Sequence, residues 1–120
     1  MNEYQMGEIE SRFADIIWDN QPISSTELAK RSEELLKWKK STTYTVLKRL
    51  CDKGIFKNEK GSVSSLISRD EFYALQSEQF VTRNFKGSLP AFLAAFTTRK
   101  ALTSEEVDHL RRIVAEYEEE

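Results

Sequence analysis

Between Ser41 and Leu50 the chain reads STTYTVLKRL, and the spacing of its apolar groups leaves little freedom. Thr43, Val46, Leu47 and Leu50 recur at i, i+3, i+4 and i+7, the repeat of a helix with one buried stripe. Gly54 follows where a C-terminal cap belongs, because glycine takes a left-handed backbone without steric cost. On the opposite side lie Ser41, Thr45 and Lys48, flanked by Thr42, Tyr44 and Arg49, a face of hydroxyls and cations. Such a helix lays its stripe on a core and turns the other side outward.

Charge adds to this. Residues 37–60 hold eight Lys or Arg (37, 39, 40, 48, 49, 53, 57 and 60) against Asp52 and Glu59, a local balance of +6 in a chain of net charge −2. A cationic island in an acidic protein suggests a surface for a polyanion.

The first half supplies the core for that helix. Residues 8–19 predict a helix with Ile9, Phe13, Ile16 and Ile17 on its stripe and Trp18 widening it. Pro22 ends it, since proline disfavours helix in the residue before it, and Ile23 is a short extended piece. Ser24 and Glu27 have capping-box spacing, in which each side chain takes the other's amide. They open a second helix to about Leu36 with Leu28, Ala29, Leu35 and Leu36 inward. Trp38, in the next turn, is expected to pack against the third helix. Residues 55–68 predict a two-stranded hairpin about Lys60-Gly61-Ser62, with Lys57 and Lys60 placing positive charge on it. Three helices followed by a basic hairpin make the winged helix-turn-helix plan, in which the third helix enters the major groove and the hairpin touches the neighbouring backbone. Lys39, Lys40, Ser41, Thr42, Tyr44, Thr45, Lys48, Arg49, Lys57 and Lys60 are the candidate DNA contacts. Ser41, Thr42 and Lys40 suit phosphate; Thr45, Lys48 and Arg49 suit base edges or backbone; Tyr44 offers a hydroxyl or packs on a sugar. For Thr42 and Thr43, helix capping and core packing are the alternative roles.

The second half is helical and more apolar on its faces. Ser68-Arg69-Asp70-Glu71 is another capping box, opening a long helix to about Lys86 with Phe72, Leu75, Gln76, Gln79, Phe80 and Arg83 along one side. Gly87 ends it. Ser88 caps a short helix whose Pro90 is tolerated in the first turn and whose stripe is Leu89, Phe92, Leu93 and Phe96. Thr103-Ser104-Glu105-Glu106 opens the last helix, with Val107, Leu110, Val114 and Tyr117 spaced like a coiled-coil seam and residues 118–120 expected to fray. Three such pieces carry more apolar surface than they can cover among themselves. A homodimer is the economical solution, with folding back on the chain's own first half as the alternative. The expected division is a winged-helix DNA-binding domain at 1–68 and a helical dimerisation domain at 69–120, mainly α with a small β-hairpin. Phe72, Leu75, Phe80, Leu89, Phe92, Leu93, Phe96, Val107, Leu110 and Val114 are the candidate dimer contacts.

An enzyme has little to stand on here. There is no Gly-rich phosphate loop, nucleophile elbow or Cys/His cluster of zinc spacing, and no cofactor or metal is expected. His109, the single histidine, is expected at a solvated surface, and adjacent acids such as Glu33-Glu34 are solvated faces. Cys51 reads as a small buried hydrophobe. A redox sensor is the alternative, without a second thiol to resolve it. The acidic start MNEYQMGEIESRF lacks the apolar run of a signal peptide, and no stretch reaches the ~18 apolar residues of a membrane span, so a cytoplasmic protein is expected.

Trp38-Lys-Lys-Ser41-Thr42-Thr-Tyr-Thr45-Val-Leu47-Lys-Arg49-Leu50, then Lys53-Gly54-Ile55, resembles the recognition-helix region of the penicillinase repressor family (BlaI/MecI), which includes copper-responsive CopY repressors. The likeness extends to Ile16-Ile17-Trp18, Ser68-Arg69-Asp70-Glu71-Phe72, Phe85-Lys86-Gly87-Ser88-Leu89 and Leu102-Thr103-Ser104-Glu105-Glu106-Val107. It implies a homodimeric winged-helix repressor on a palindromic DNA operator, with Thr42, Thr45 and Arg49 among the contacts. Tyr44 stands where the family often has a basic residue. In the β-lactam-responsive branch a sensor protease cuts an Asn-Phe bond in the short C-terminal helix. The matching bond here is Ala95-Phe96, where Phe96 agrees and Ala95 does not, so a regulatory protease or sensor protein is the further partner implied. Glu118-Glu119-Glu120 stands in place of the metal-binding CxC pair of the copper branch, which speaks against copper sensing by this sequence. The alternative function is a winged-helix module for protein–protein contact, its basic face docking an acidic partner without sequence-specific DNA binding.

Overall fold

A computed structural model describes residues 6–118. The expectations made for residues 1–5, and for residues 119 and 120 of the tail expected to fray, lie outside them, while Glu118 is still helical. The elements run α1 (Glu8–Asn20), β1 (Ile23–Ser24), α2 (Ser25–Leu36), α3 (Lys40–Asp52), β2 (Phe56–Glu59), β3 (Ser62–Ser65), α4 (Arg69–Asn84), α5 (Leu89–Arg99) and α6 (Ser104–Glu118). They fall into two compact units, Met1–Gln79 and Phe80–Glu120, with the boundary inside α4.

The first unit is a winged helix. Its core gathers Phe13, Ala14 and Ile17 from α1, Leu28 from α2, Leu50 from α3, Ile55 and Phe56 before and in β2, Val63 from β3, and Phe72 from α4. Trp18 packs on Phe56 and Phe72 at ring-centroid distances of 5.2 and 5.6 Å, and its indole N–H donates to the Ile67 carbonyl at 3.1 Å. Arg69 closes the same corner, donating to Asp15 at 3.0 Å and Asp19 at 2.7 Å beside the Trp18 ring.

The predicted hairpin is the larger part of a three-stranded antiparallel sheet of order β1-β3-β2. Phe56 pairs with Ser65 and Glu59 with Ser62 across the hairpin, while Ile23 pairs with Val63 on the other edge. Lys60 and Gly61 form the two-residue turn with φ of 52° and 86°, the left-handed pair that matches strand twist. The short extended piece at Ile23 is thus a third strand. Its partner lies 40 residues away, a pairing that local spacing does not signal.

Other expectations change in detail. Ile9 is 44% exposed, although Met6 just before α1 lies against the core, and Leu35 is 57% exposed. The buried arc of α2 runs through Leu28, Ala29 and Ser32, with Leu35 on its rim. Trp38 lies against the core cluster, with its ring 5.0 Å from that of Phe13 of α1. The Ser24 hydroxyl accepts the Glu27 amide at 3.1 Å, but the Glu27 carboxylate turns to Arg31 at 3.3 Å instead of completing the box. The hydroxyls of Ser32 and Thr43 are buried without a hydrogen-bond partner among the described residues.

In the second unit, Phe80, Phe85, Phe92 and Phe96 form a chain of ring contacts at 5.6–6.2 Å. Ser88 caps α5 by accepting the Ala91 amide at 3.1 Å. Thr103 and Glu106 form the full reciprocal box: the Thr103 amide donates to the Glu106 carboxylate at 2.9 Å and the Glu106 amide to the Thr103 hydroxyl at 3.1 Å. Neither α5 nor α6 contains a buried residue.

Candidate nucleic-acid interface

α3 is fixed from one side and at its C-terminal end. Thr43, Val46, Leu47 and Leu50 are all buried, as their spacing predicts. At the C-terminus the Ile55 amide donates to the Leu50 carbonyl at 3.1 Å across Gly54, whose φ is 81°. That six-to-one bond is the signature of a Schellman cap, which needs the left-handed residue that glycine supplies. The opposite face is therefore held outward by packing rather than by its own chemistry.

On that face Lys39, Lys40, Ser41, Thr42, Thr45, Lys48 and Arg49 are exposed and Tyr44 is half-buried. Lys39 gives α3 no side-chain cap. The first amides of the helix thus remain as donors, at the end where the helix dipole is positive. The Lys40 ammonium lies over the Tyr44 ring, 5.9 Å from its centroid. The Thr45 hydroxyl donates to the Ser41 carbonyl at 2.9 Å. What Thr45 retains for a base is an acceptor oxygen and a methyl group, the latter suited to thymine.

Two cations of α3 are partnered. Lys48 meets Asp52 one turn on at 3.3 Å, with both side chains largely exposed, an arrangement water screens strongly. Arg49 meets Glu10, in the first turn of α1, at 3.1 Å. Asp52 was open to sequence reasoning as an i+4 partner of Lys48. Glu10 was not, because it stands 39 residues away.

The hairpin places its lysines differently. Lys57 pairs with Glu59 at 3.1 Å on the same strand. Lys60, at the turn, is exposed and has no ion-pair partner among the described residues. The turn itself is braced: the Asn58 side chain accepts the Gly61 amide at 3.0 Å, and the Gly61 carbonyl accepts the Ser25 amide at 2.8 Å. Cys51, partly buried against the core, has its thiol pKa raised by burial and then by Asp52, which suits a hydrophobe better than a reactive thiol.

The candidate dimer contacts separate into two sets. Phe72 is wholly buried in the first unit and belongs to that core; it is unavailable to another subunit. Leu75 is half-buried in the first unit. In the second unit, Phe80, Leu89, Phe96 and Val114 are 42–57% exposed, and Phe92, Leu93, Val107 and Leu110 are half-buried. Leu102, Val107, Leu110 and Val114 line a groove of about 440 Å³. His109 is exposed and borders a second groove of about 260 Å³ with Phe92 and Phe96. The Ala95-Phe96 bond lies inside α5, where the Thr98 hydroxyl donates to the Ala95 carbonyl at 2.7 Å.

Among the described residues no group of His, Cys, Asp or Glu could hold a metal, and no helix is long and apolar enough to cross a membrane.

A family model described as penicillinase repressor matches residues 6–116. The penicillinase repressor of Bacillus licheniformis is 26% identical over 117 residues, covering 94% of this chain and 91% of that protein. The methicillin resistance regulatory protein MecI of Staphylococcus aureus strain Mu50 is 24% identical over 115 residues, covering 92% and 94%. MecI of Mammaliicoccus sciuri is 23% identical over the same length.

Proposed function

The chain belongs to the penicillinase repressor family, and from this premise we propose that it is a DNA-binding transcriptional repressor acting in the cytoplasm as a homodimer on a palindromic operator. The family is one of repressors, not enzymes. The observation that carries the proposal is the outward face of α3, where Ser41, Thr42, Thr45, Lys48 and Arg49 stand exposed behind Lys39 and Lys40 on a helix anchored by its other side. Cations and hydroxyls at the start of the helix suit phosphate and set register; Thr45, Lys48 and Arg49 lie further along, where base edges come within reach. Lys60 at the wing turn offers a separate contact to the backbone, and Lys57 joins it once freed from Glu59. The uncovered apolar faces of α5 and α6 support pairing of two subunits. Two copies of α3 then meet successive turns of one duplex face. Control by a protease or sensor protein acting on the second unit fits this layout. A cut at Ala95-Phe96 requires α5 to unwind locally.

The test is a titration of a two-fold symmetric duplex, obtained by selection from a randomised pool, against the unselected pool. The selected duplex should bind roughly 10³-fold tighter or better, and binding should fall steeply with salt as counterions are released. Joint replacement of Lys48 and Arg49 by Ala should weaken the selected duplex at least about tenfold while light scattering still shows the dimer. Equal affinity for the two pools would instead point to a winged helix that docks an acidic protein.

A further inference from the structure

Arg49 is the one cation on the α3 face whose carboxylate partner, among the described residues, comes from another element. That partner, Glu10, is also the most shielded of the acids paired here, its side chain 22% exposed against 67% for Asp52 and 70% for Glu59. Less water around the carboxylate means less screening on its side of the pair, while the Arg49 side chain is 49% exposed and reaches solvent. Glu10 sits in the first turn of α1, where the helix dipole favours a carboxylate, and α1 is anchored through Phe13, Ile16 and Ile17. One guanidinium nitrogen of Arg49, Nη1, donates to one Glu10 oxygen at 3.1 Å, and the remaining N–H donors have no acceptor among the described residues. The fork is held at one corner and open at the others.

We propose that Glu10 is a specificity-determining positioning residue, which holds the Arg49 guanidinium in one direction for base readout and keeps it from closing on phosphate. This rests on α3 being the DNA-facing helix. The reasoning is geometric. Paired donation to guanine needs a planar fork at a set angle, whereas a phosphate accepts an arginine from many angles and carries no sequence information. A guanidinium tethered to a fixed carboxylate loses the second option more than the first. The Glu10 charge also repels the backbone of any duplex, and a matched duplex offsets that cost through the base contacts of Arg49 while a random one does not.

The test compares the wild-type chain with Glu10→Gln, Arg49→Ala and the double variant on two probes: a duplex selected by the wild-type chain from a randomised pool, and the unselected pool. Glu10→Gln should lower the ratio of selected to unselected affinity about tenfold, raise affinity for the unselected pool, and steepen its salt slope by up to about one. With Ala at position 49, Glu10→Gln should leave the ratio unchanged. Glu10→Asp keeps the charge but shortens the reach, so it should lose discrimination without gaining random affinity. An unchanged ratio in Glu10→Gln, or the same drop in the Arg49→Ala background, overturns the role of Glu10 while leaving the repressor reading intact. A wild-type chain that enriches no duplex removes the repressor reading itself, and this inference with it.

Discussion

The two units solve the burial problem in opposite ways. The first closes fourteen hydrophobic residues into one cluster, with Phe13, Phe56 and Phe72 wholly removed from water. The second brings four phenylalanines into contact, yet buries no residue of α5 or α6. Short helices that expose Leu89, Phe96, Ile113, Val114 and Tyr117 leave hydrophobic free energy unused. The difference teaches where each unit's stability originates. The winged helix holds itself together, and the dimer proposed above predicts that the helical unit gains its stability on association, where mass action makes it concentration-dependent.

The strongest way to break this contrast is inside the winged helix. Phe13→Ala removes a wholly buried ring stacked on Trp38 and should cost about 3–5 kcal/mol, enough to unfold much of the population in a thermal melt at any protein concentration. A melt that shifts with concentration as much as with this substitution would show that the first unit also depends on a partner.

Next comes the helical unit. Val114 is 55% exposed, so Val114→Glu should disturb a lone chain little. It should weaken self-association by about 2 kcal/mol or more, read by light scattering across a dilution series, with the Trp18 and Trp38 fluorescence of the first unit unchanged. Unaltered mass at every dilution would mean that the exposed face of α6 is not what joins subunits.

The smallest effect sharpens the picture at the start of α6. The Thr103 amide, donating to the carboxylate, and the Thr103 side chain beside it lower the pKa of Glu106 from its ordinary value. A depressed carboxylate pKa stabilises above its unfolded value and loses that contribution as pH falls through the folded one. Helicity measured by circular dichroism should therefore drop slightly as pH falls below about 4.5. Glu106→Gln should flatten that part of the profile, and an identical profile in the variant would assign the change elsewhere.

Much of this could be read from the chain alone, and the legible parts share a property. The α3 stripe, the caps at Ser24, Ser68, Ser88 and Thr103, the Gly54 termination and the turn at Lys60-Gly61 all involve groups within a few residues of one another. Local spacing carries such signals because helical period and turn dihedrals are local. The candidate DNA face was legible for the same reason, being one side of one helix. Leu35 and Ile9 were misjudged because periodicity tells which residues share a side, not how far a neighbour extends to cover it.

The amino-acid order by itself thus determined the helices, the buried and outward sides of α3, the basic wing and the family. Tertiary structure alone decided that Ile23 becomes a strand edge on Val63, that Phe72 leaves the helical half for the core around Trp18, and that Glu10 reaches Arg49. Each of these joins residues 39 to 54 apart in the chain, as Arg69 does with Asp15. Contacts of that range depend on how whole elements fold back and pack, and no window of neighbouring residues contains both of their ends.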